Sequence, residues 1–133
     1  MPEPIEAGSP ADWLRYARSD LNLARIAVGS DVMLEMLCFH AQQAAEKGIK
    51  AVLLGAGIPF PRTHNIGSLL ALLPATHTLS PDVALAVSLT DYAVANRYPG
   101  EYEEVSDVDY EEAIRLASAV VAWADHIVRG RPT

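Results

Sequence analysis

The stretch from Leu37 to Val52 constrains the fold most, because its apolar residues recur with the 3.6-residue period of an α-helix. At 100° per residue they occupy one arc of the helix surface, which consists of Leu37, Ala41, Ala44, Ala45, Gly48, Ile49 and Val52. Polar residues at spacings of three, four and three occupy another side, here called the polar strip: His40, Gln43, Lys47 and Lys50. A helix with one apolar side buries it against other elements, so the sequence predicts a packed helical protein.

Capping residues, proline and glycine indicate the helix boundaries along the rest of the chain. Ser9-Pro10 and Ser80-Pro81 predict the starts of the first and fourth helices, because serine caps a helix and proline fits its first turn. The caps predicted for the second and third helices, two options each, are Ser30 or Asp31 and Thr63 or Asn65. The predicted helices span about residues 10–28, 31–54, 66–73, 81–96 and 108–128.

Four long amphipathic helices joined by modest loops predict an all-α fold. We expect an up-and-down antiparallel four-helix bundle with one additional short helix. The bundle is expected to span residues 10–128, after a flexible leader at residues 1–9 and before a frayed tail at residues 129–133. A chain of 133 residues is long enough for one such domain and too short for two.

Charge and hydropathy limit the classes of partner. The formal net charge of −7 gives the chain poor long-range attraction for nucleic acid, so RNA binding would need a local basic patch. No run of 18 apolar residues is present, so no membrane span is predicted. The N-terminus lacks a basic segment followed by an apolar one, and we therefore expect a cytoplasmic protein.

Cysteine and carboxylate patterns give no reason to expect a metal or a cofactor. A single cysteine, Cys38, can form neither an internal disulfide nor a multi-thiolate zinc site. The acidic segment at residues 101–112 matches no metal-binding loop. Its carboxylates fit a solvated surface and the positive end of the fifth helix instead.

Three short motifs occur in the order in which one known family carries them. They are the helix Phe39–Leu54, the segment Pro61–Ile66 with its Thr-His-Asn sequence, and the segment Tyr92–Pro99, which ends in Arg-Tyr-Pro. Together with the acidic start of the last helix at Tyr110, they resemble the HEPN (higher eukaryotes and prokaryotes nucleotide-binding) domain family over about residues 10–128. The resemblance is greatest to its nucleotidyltransferase-associated branch.

This resemblance implies a helical bundle that forms a homodimer and is encoded beside a small nucleotidyltransferase. The pair would make up a two-component, toxin–antitoxin-like module, with nucleotide or RNA as an additional ligand. Several members of the family are metal-independent endoribonucleases. Those members carry an arginine, then four to six intervening residues, then a histidine, and these two residues are paired across the dimer.

The chain departs from that nuclease motif. After Arg97 the corresponding positions hold Tyr102, Glu103 and Glu104, and no histidine lies five to seven positions after any arginine. Metal-independent RNA cleavage needs one group to accept the 2′-hydroxyl proton and one to protonate the leaving oxygen, roles that suit histidine. The missing histidine favours a binding partner over an enzyme. The alternative is an endoribonuclease with a non-standard site that combines Arg97 with His64 or His40.

Seven residues are the predicted binding site for a nucleotide, another anion or a partner: His40, Gln43, Lys47, Lys50, His64, Arg97 and Tyr98. Each group also has an ordinary structural explanation. The polar strip fits the outer face of a bundle helix, with Lys50 paired to Glu46 at i,i+4. The neighbours of His64 fit a helix cap, and Arg97 fits the negative end of a helix dipole. No catalytic residue and no metal ligand is predicted.

Overall fold

The computed structural model describes residues 8–26, 29, 31–93 and 104–130, and all of its regular elements are helices. This all-α bundle confirms the predicted fold class. The elements in chain order are α1 (Pro10–Ile26), α2 (Leu34–Gly55), α3 (Ile66–Leu70), α4 (Pro81–Leu85), a 3₁₀ helix (Ala86–Ala93) and α5 (Asp107–Val128).

Helix α2 is the centre of the molecule, because it packs against α1, α5, the 3₁₀ helix and α3. Small residues line the contacts between the long helices and let their backbones approach closely; they include Ala17, Ala24, Ala41, Ala45, Ala117 and Ala124, each buried. Larger side chains fill the remaining core, among them Leu37, Ile49, Leu53, Ile66 and Leu89. The predicted apolar arc of α2 is thus the face around which the bundle is built.

Most helix starts lie where the capping residues predict them. Ser9 Oγ accepts the amide of Asp12 at 3.1 Å, immediately before α1. Asn65 Oδ1 accepts the amide of Ser68 at 2.9 Å and caps α3. Ser80 caps α4, and α5 opens with a capping box between Ser106 and Asp109. Asp107 and Asp109 lie in the first turn of α5, at its positive end, as expected for these two carboxylates.

Two boundaries differ from the predictions. Helix α2 begins at Leu34 after Met33, which makes no side-chain cap, so the expected cap by Asp31 is wrong, and Ser30 lies outside the described residues. Packing of the apolar α2 face compensates for the missing cap, because tertiary contacts supply most helix stability in a folded protein. The third helix also ends at Leu70, before the predicted residue 73.

The fourth helix changes its winding. It is α-helical only over Pro81–Leu85 and continues as a 3₁₀ helix to Ala93, whereas the sequence predicted one α-helix to about residue 96. Residues 94–96 lie outside the described part of the chain. Thr90 explains part of the difference, because its Oγ1 accepts the amide of Ile66 at 3.1 Å and ties this segment to α3. Across the described residues, every helix is too short or too polar to cross a membrane.

Candidate functional site

Two residues of the polar strip, His40 and Lys47, face a carboxylate of α1. Asp20 Oδ2 accepts a hydrogen bond from Lys47 Nζ at 2.6 Å, and Asp20 Oδ1 lies 3.1 Å from Nδ1 of His40. The Lys47 ammonium also lies 5.8 Å from the centre of the Tyr16 ring. We call Asp20, His40 and Lys47 the Asp20 triad. The Lys47 ammonium and the His40 imidazole are thus both directed to an intramolecular partner.

The last residue of the polar strip, Lys50, belongs to a second cluster, here called the Glu46 triad: Glu46, Lys50 and His64. Lys50 Nζ donates to Glu46 Oε2 at 2.8 Å, and His64 Nδ1 lies 2.7 Å from Glu46 Oε1. Gln42 Nε2 donates to the same Oε1 at 2.9 Å. The Glu46 side chain is 4 % exposed and that of Lys50 9 %, so this ion pair lies inside the protein. The predicted Glu46–Lys50 pair is confirmed.

Two aromatic rings surround the buried Lys50 ammonium. Its Nζ lies 5.5 Å from the centre of the Trp13 ring and 5.6 Å from that of Phe60. The two rings meet edge to face with centroids 6.2 Å apart. Trp13 comes from the first turns of α1 and Phe60 from the segment after α2, so the cation joins three parts of the chain. Cation–π attraction strengthens when water is excluded, and it compensates part of the cost of burying Lys50.

The Glu46 carboxylate is held in its charged form. Burial raises the pKa of Glu46, but hydrogen bonds from Lys50, Gln42 and His64 lower it further, so the pKa lies below its ordinary value of 4.5. Each oxygen of this carboxylate receives at least one donor. The Glu46 carboxylate is therefore charged at neutral pH and hydrogen-bonded through both of its oxygens.

The turn before α3 determines the position of His64. Thr63 Oγ1 accepts the amide of Asn65 at 3.0 Å while Asn65 caps α3, and this local bonding fixes the backbone on both sides of His64. The His64 side chain is 63 % exposed, although its Nδ1 contacts the buried Glu46. The carboxylate on Nδ1 orients the imidazole, while most of the side chain remains open to solvent.

The predicted site residues thus fall into separate groups. His40 and Lys47 join the Asp20 triad, while Lys50 and His64 join the Glu46 triad. Gln43 lies half-buried between the two triads on α2. The last two members, Arg97 and Tyr98, lie outside the described residues. Within the part of the chain that the structure describes, no three histidine, cysteine or acidic side chains are grouped as they would be to hold a metal ion.

Gln42 and Asp20 were not predicted as members of these clusters, and Glu46 was predicted only as the i,i+4 partner of Lys50. Glu46 and Gln42 precede Lys50 by four and eight residues, and this i,i+4 spacing is the sequence signal that links them on one ridge of α2. The sequence did not predict that Glu46 and Gln42 are buried. Their ridge borders the apolar arc, and it becomes covered only when α1 and the loop after α2 pack on it. No sequence signal indicated the contacts of Asp20 and Trp13 with α2, since these residues meet α2 across a tertiary interface.

The fold and this arrangement define an all-helical bundle with charge clusters between its first two helices. The HEPN domain pattern matches residues 10–127, and the chain therefore belongs to the HEPN domain family. It is similar to the crystal structure of TT1696 from Thermus thermophilus, with 31 % identity, a TM-score of 0.78 and coverage of 90 % of this chain and 98 % of that one. It is also similar to ST0689, an archaeal HEPN homologue, with 29 % identity, a TM-score of 0.70 and the same coverage. No curated protein matches the chain.

Proposed function

We propose that this protein is the dimeric HEPN component of a two-component, toxin–antitoxin-like module, which binds a small nucleotidyltransferase partner and, as an additional ligand, a nucleotide. Membership in the HEPN domain family supports the class of module. The observation that carries the proposal is a concentration of exposed apolar side chains along α1, in the residues just before α2 and in the first turn of α2. We call this region the hairpin face.

The hairpin face holds six of the eleven large hydrophobic side chains that are exposed among the described residues: Tyr16, Leu23, Ile26, Val32, Met33 and Met36. Exposed methionine and aromatic side chains are enriched where proteins bind each other. A concentration of this kind, next to the paired charges of the Asp20 triad, is the composition of an interface with an apolar centre and a polar border. It supports an interaction protein more directly than it supports an isolated enzyme.

The dimer is tested by measuring the molar mass of the protein by light scattering during gel filtration. We expect a dimer for the unmodified chain and a monomer for Met36→Glu, because a buried carboxylate without a partner opposes association. Leu85→Glu is the matched control, since Leu85 is 56 % exposed and Met36 54 %, but Leu85 lies on α4. A monomeric unmodified chain, or equal behaviour of the two variants, would contradict the proposed dimer surface.

The partner is tested by co-expression with the small nucleotidyltransferase that the proposal expects a neighbouring reading frame to encode. We expect the two proteins to co-purify as a stoichiometric complex at physiological salt. Failure to co-purify, with both proteins folded, would remove the nucleotidyltransferase from the proposal and leave the dimer to be judged by its own experiment.

A second candidate function, a metal-independent endoribonuclease, is favoured by the contact between His64 and Glu46. An exposed imidazole oriented by a buried carboxylate has the arrangement of a general acid or base. RNA incubated with the protein in the presence of a chelator would be cleaved by the unmodified chain and spared by His64→Ala and Arg97→Ala. Absence of cleavage, or cleavage that survives both changes, would reject this candidate.

A further inference from the structure

A groove of about 310 Å³ lies between α1 and α5, away from both triads. We call it the α1–α5 groove. Its apolar lining residues are Leu21, Val121 and Ala122. Its volume falls at the lower end of the range for small-molecule sites, about 300–1,000 Å³. A ligand of this groove is therefore small and has an apolar part that can lie on these three side chains.

Cationic groups exceed anionic ones along this groove. Arg18 and Arg25 line it, and Arg129 joins them by donating from Nε to Asp125 Oδ1 at 2.6 Å. Asp125 also pairs with Arg18, and it is the one carboxylate among the described lining residues. Arg25 Nη2 donates to the Ser118 hydroxyl at 2.6 Å. The guanidinium groups of Arg18 and Arg129 thus contact one carboxylate, and that of Arg25 lines the same groove, in a protein whose formal net charge is −7.

The donors of α1 are spaced for one shared ligand. Arg18, Asn22 and Arg25 follow at i, i+4 and i+7, so Asn22 lies on the same face about one turn from each arginine. Long arginine side chains can reach over one helical turn, whereas the short amide of Asn22 stays in place. The Ser118 hydroxyl faces the same groove from α5. Four polar groups can therefore donate hydrogen bonds to one anion above Asn22.

From this arrangement we infer that the α1–α5 groove binds a small phosphate monoester with an apolar body. A phosphate offers three terminal oxygens and two negative charges, which match several donors better than the two oxygens of a carboxylate do. The apolar body lies on Leu21, Val121 and Ala122. The inference does not depend on the nucleotidyltransferase partner, and it concerns residues outside the seven-residue site predicted from the sequence.

Asp125 competes with the ligand for arginine. The pKa of Asp125 is raised by burial and lowered more strongly by hydrogen bonds from Arg129 and Arg18, so it lies below the ordinary value and the side chain is charged at neutral pH. A bound phosphate must draw Arg18 away from this carboxylate. Removing the Asp125 charge should therefore release Arg18 for the ligand and tighten phosphate binding. If the Arg18–Asp125 pair were only a surface salt bridge, its removal would not tighten phosphate binding.

The test is calorimetric titration of the full chain with phenyl phosphate at low ionic strength in a phosphate-free buffer. We expect phenyl phosphate to bind at least tenfold more tightly than inorganic phosphate or phenol, because each of those lacks one half of the contact. Equal binding of phenol would contradict a role for the arginines. Equal binding of inorganic phosphate would contradict a role for the apolar floor.

Variants assign the binding to the groove. We expect Arg25→Ala to weaken phenyl phosphate binding at least tenfold, Arg25→Lys to weaken it less, and Asp125→Asn to tighten it about threefold or more. Arg115→Ala is the matched control, because Arg115 is an exposed arginine of α5 that pairs with Asp82 and Glu112 outside the groove. Circular dichroism shows whether each variant is folded. Equal effects of Arg25→Ala and Arg115→Ala, weaker binding by folded Asp125→Asn, or no binding at all would overturn the inference.

Discussion

Asp20 and Glu46 have the same set of partners in two different environments. Each carboxylate contacts one lysine Nζ and one histidine Nδ1, with the lysine bonds at 2.6 and 2.8 Å and the histidine contacts at 3.1 and 2.7 Å. The acidic side chains are 14 % and 4 % exposed, and their lysines 24 % and 9 %. The Glu46 triad adds an amide donor and places its lysine between two aromatic rings, whereas Lys47 lies near one ring, that of Tyr16.

The comparison shows how burial determines what a charged group requires. Water and mobile ions weaken the attraction within the Asp20 triad, and the same water limits the cost when a partner is lost. The Glu46–Lys50 pair within the Glu46 triad is shielded from water, so each of these two charges depends on the other. Gln42, Trp13 and Phe60 are then the additional partners that a buried lysine and glutamate need. The contrast predicts unequal costs for equivalent substitutions.

The largest effect is expected from Glu46→Gln, which keeps the size of the side chain and removes its charge. Lys50 would remain buried without a carboxylate, and breaking a buried pair in this way costs about 3–5 kcal/mol of unfolding free energy. Urea unfolding followed by circular dichroism measures the change.

A second variant separates the missing charge from the missing packing. Lys50→Met added to Glu46→Gln should recover part of the lost stability, because no unpaired ammonium is then buried. If the double variant is less stable than Glu46→Gln alone, the unpaired lysine is not the cause of the loss.

Trp13→Leu should have the next largest effect. It removes one of the two rings around Lys50 and part of an edge-to-face contact with Phe60, so we expect a loss of about 2 kcal/mol in unfolding free energy. Trp13→Phe retains a ring and should lose clearly less. Thermal unfolding of the three proteins under one buffer gives the comparison, and equal losses would show that the aromatic face contributes little.

Acid should weaken the Glu46 triad selectively. Because the folded pKa of Glu46 lies below its ordinary value of 4.5, its charge stabilises the fold above pH 4.5, and this contribution is lost as the pH falls through the lowered folded pKa. Urea midpoints measured from pH 7 to pH 3 should therefore fall less steeply for Glu46→Gln than for the unmodified chain. If the urea midpoints of the two proteins fall in parallel with pH, the pKa of Glu46 is the same in the folded and the unfolded state.

The sequence was sufficient for the parts of the molecule that depend on local spacing. The apolar arc of α2, the serine caps of α1 and α4 and the Glu46–Lys50 pair follow from period and capping chemistry within one segment. The 3₁₀ winding of the segment after Leu85 could not be predicted from local spacing, because it involves a hydrogen bond between Thr90 and α3, an element separated from it along the chain. Local propensity carries no information about such a contact.

The candidate site shows the same limit. The polar strip is correctly located on α2, but its residues are divided between two carboxylates, only one of which lies on α2 itself. His40 and Lys47 are neighbours of Asp20 only after α1 packs on α2. The division depends on the relative rotation of two helices, which periodicity within one helix cannot specify.

Asp20→Asn provides the smallest effect and the sharpest contrast with Glu46→Gln. It removes the same charge beside the same pair of partner types, yet Lys47 can turn toward water, so we expect a loss of no more than about 1 kcal/mol in unfolding free energy. The loss should shrink further at 1 M salt, where electrostatic interactions are screened within about 3 Å, while the loss in Glu46→Gln should change little. Urea unfolding of both variants at low and high salt measures this difference. If Asp20→Asn destabilises the protein as much as Glu46→Gln, the exposure of the Asp20 triad does not weaken it, and both carboxylates bind α2 into the bundle equally.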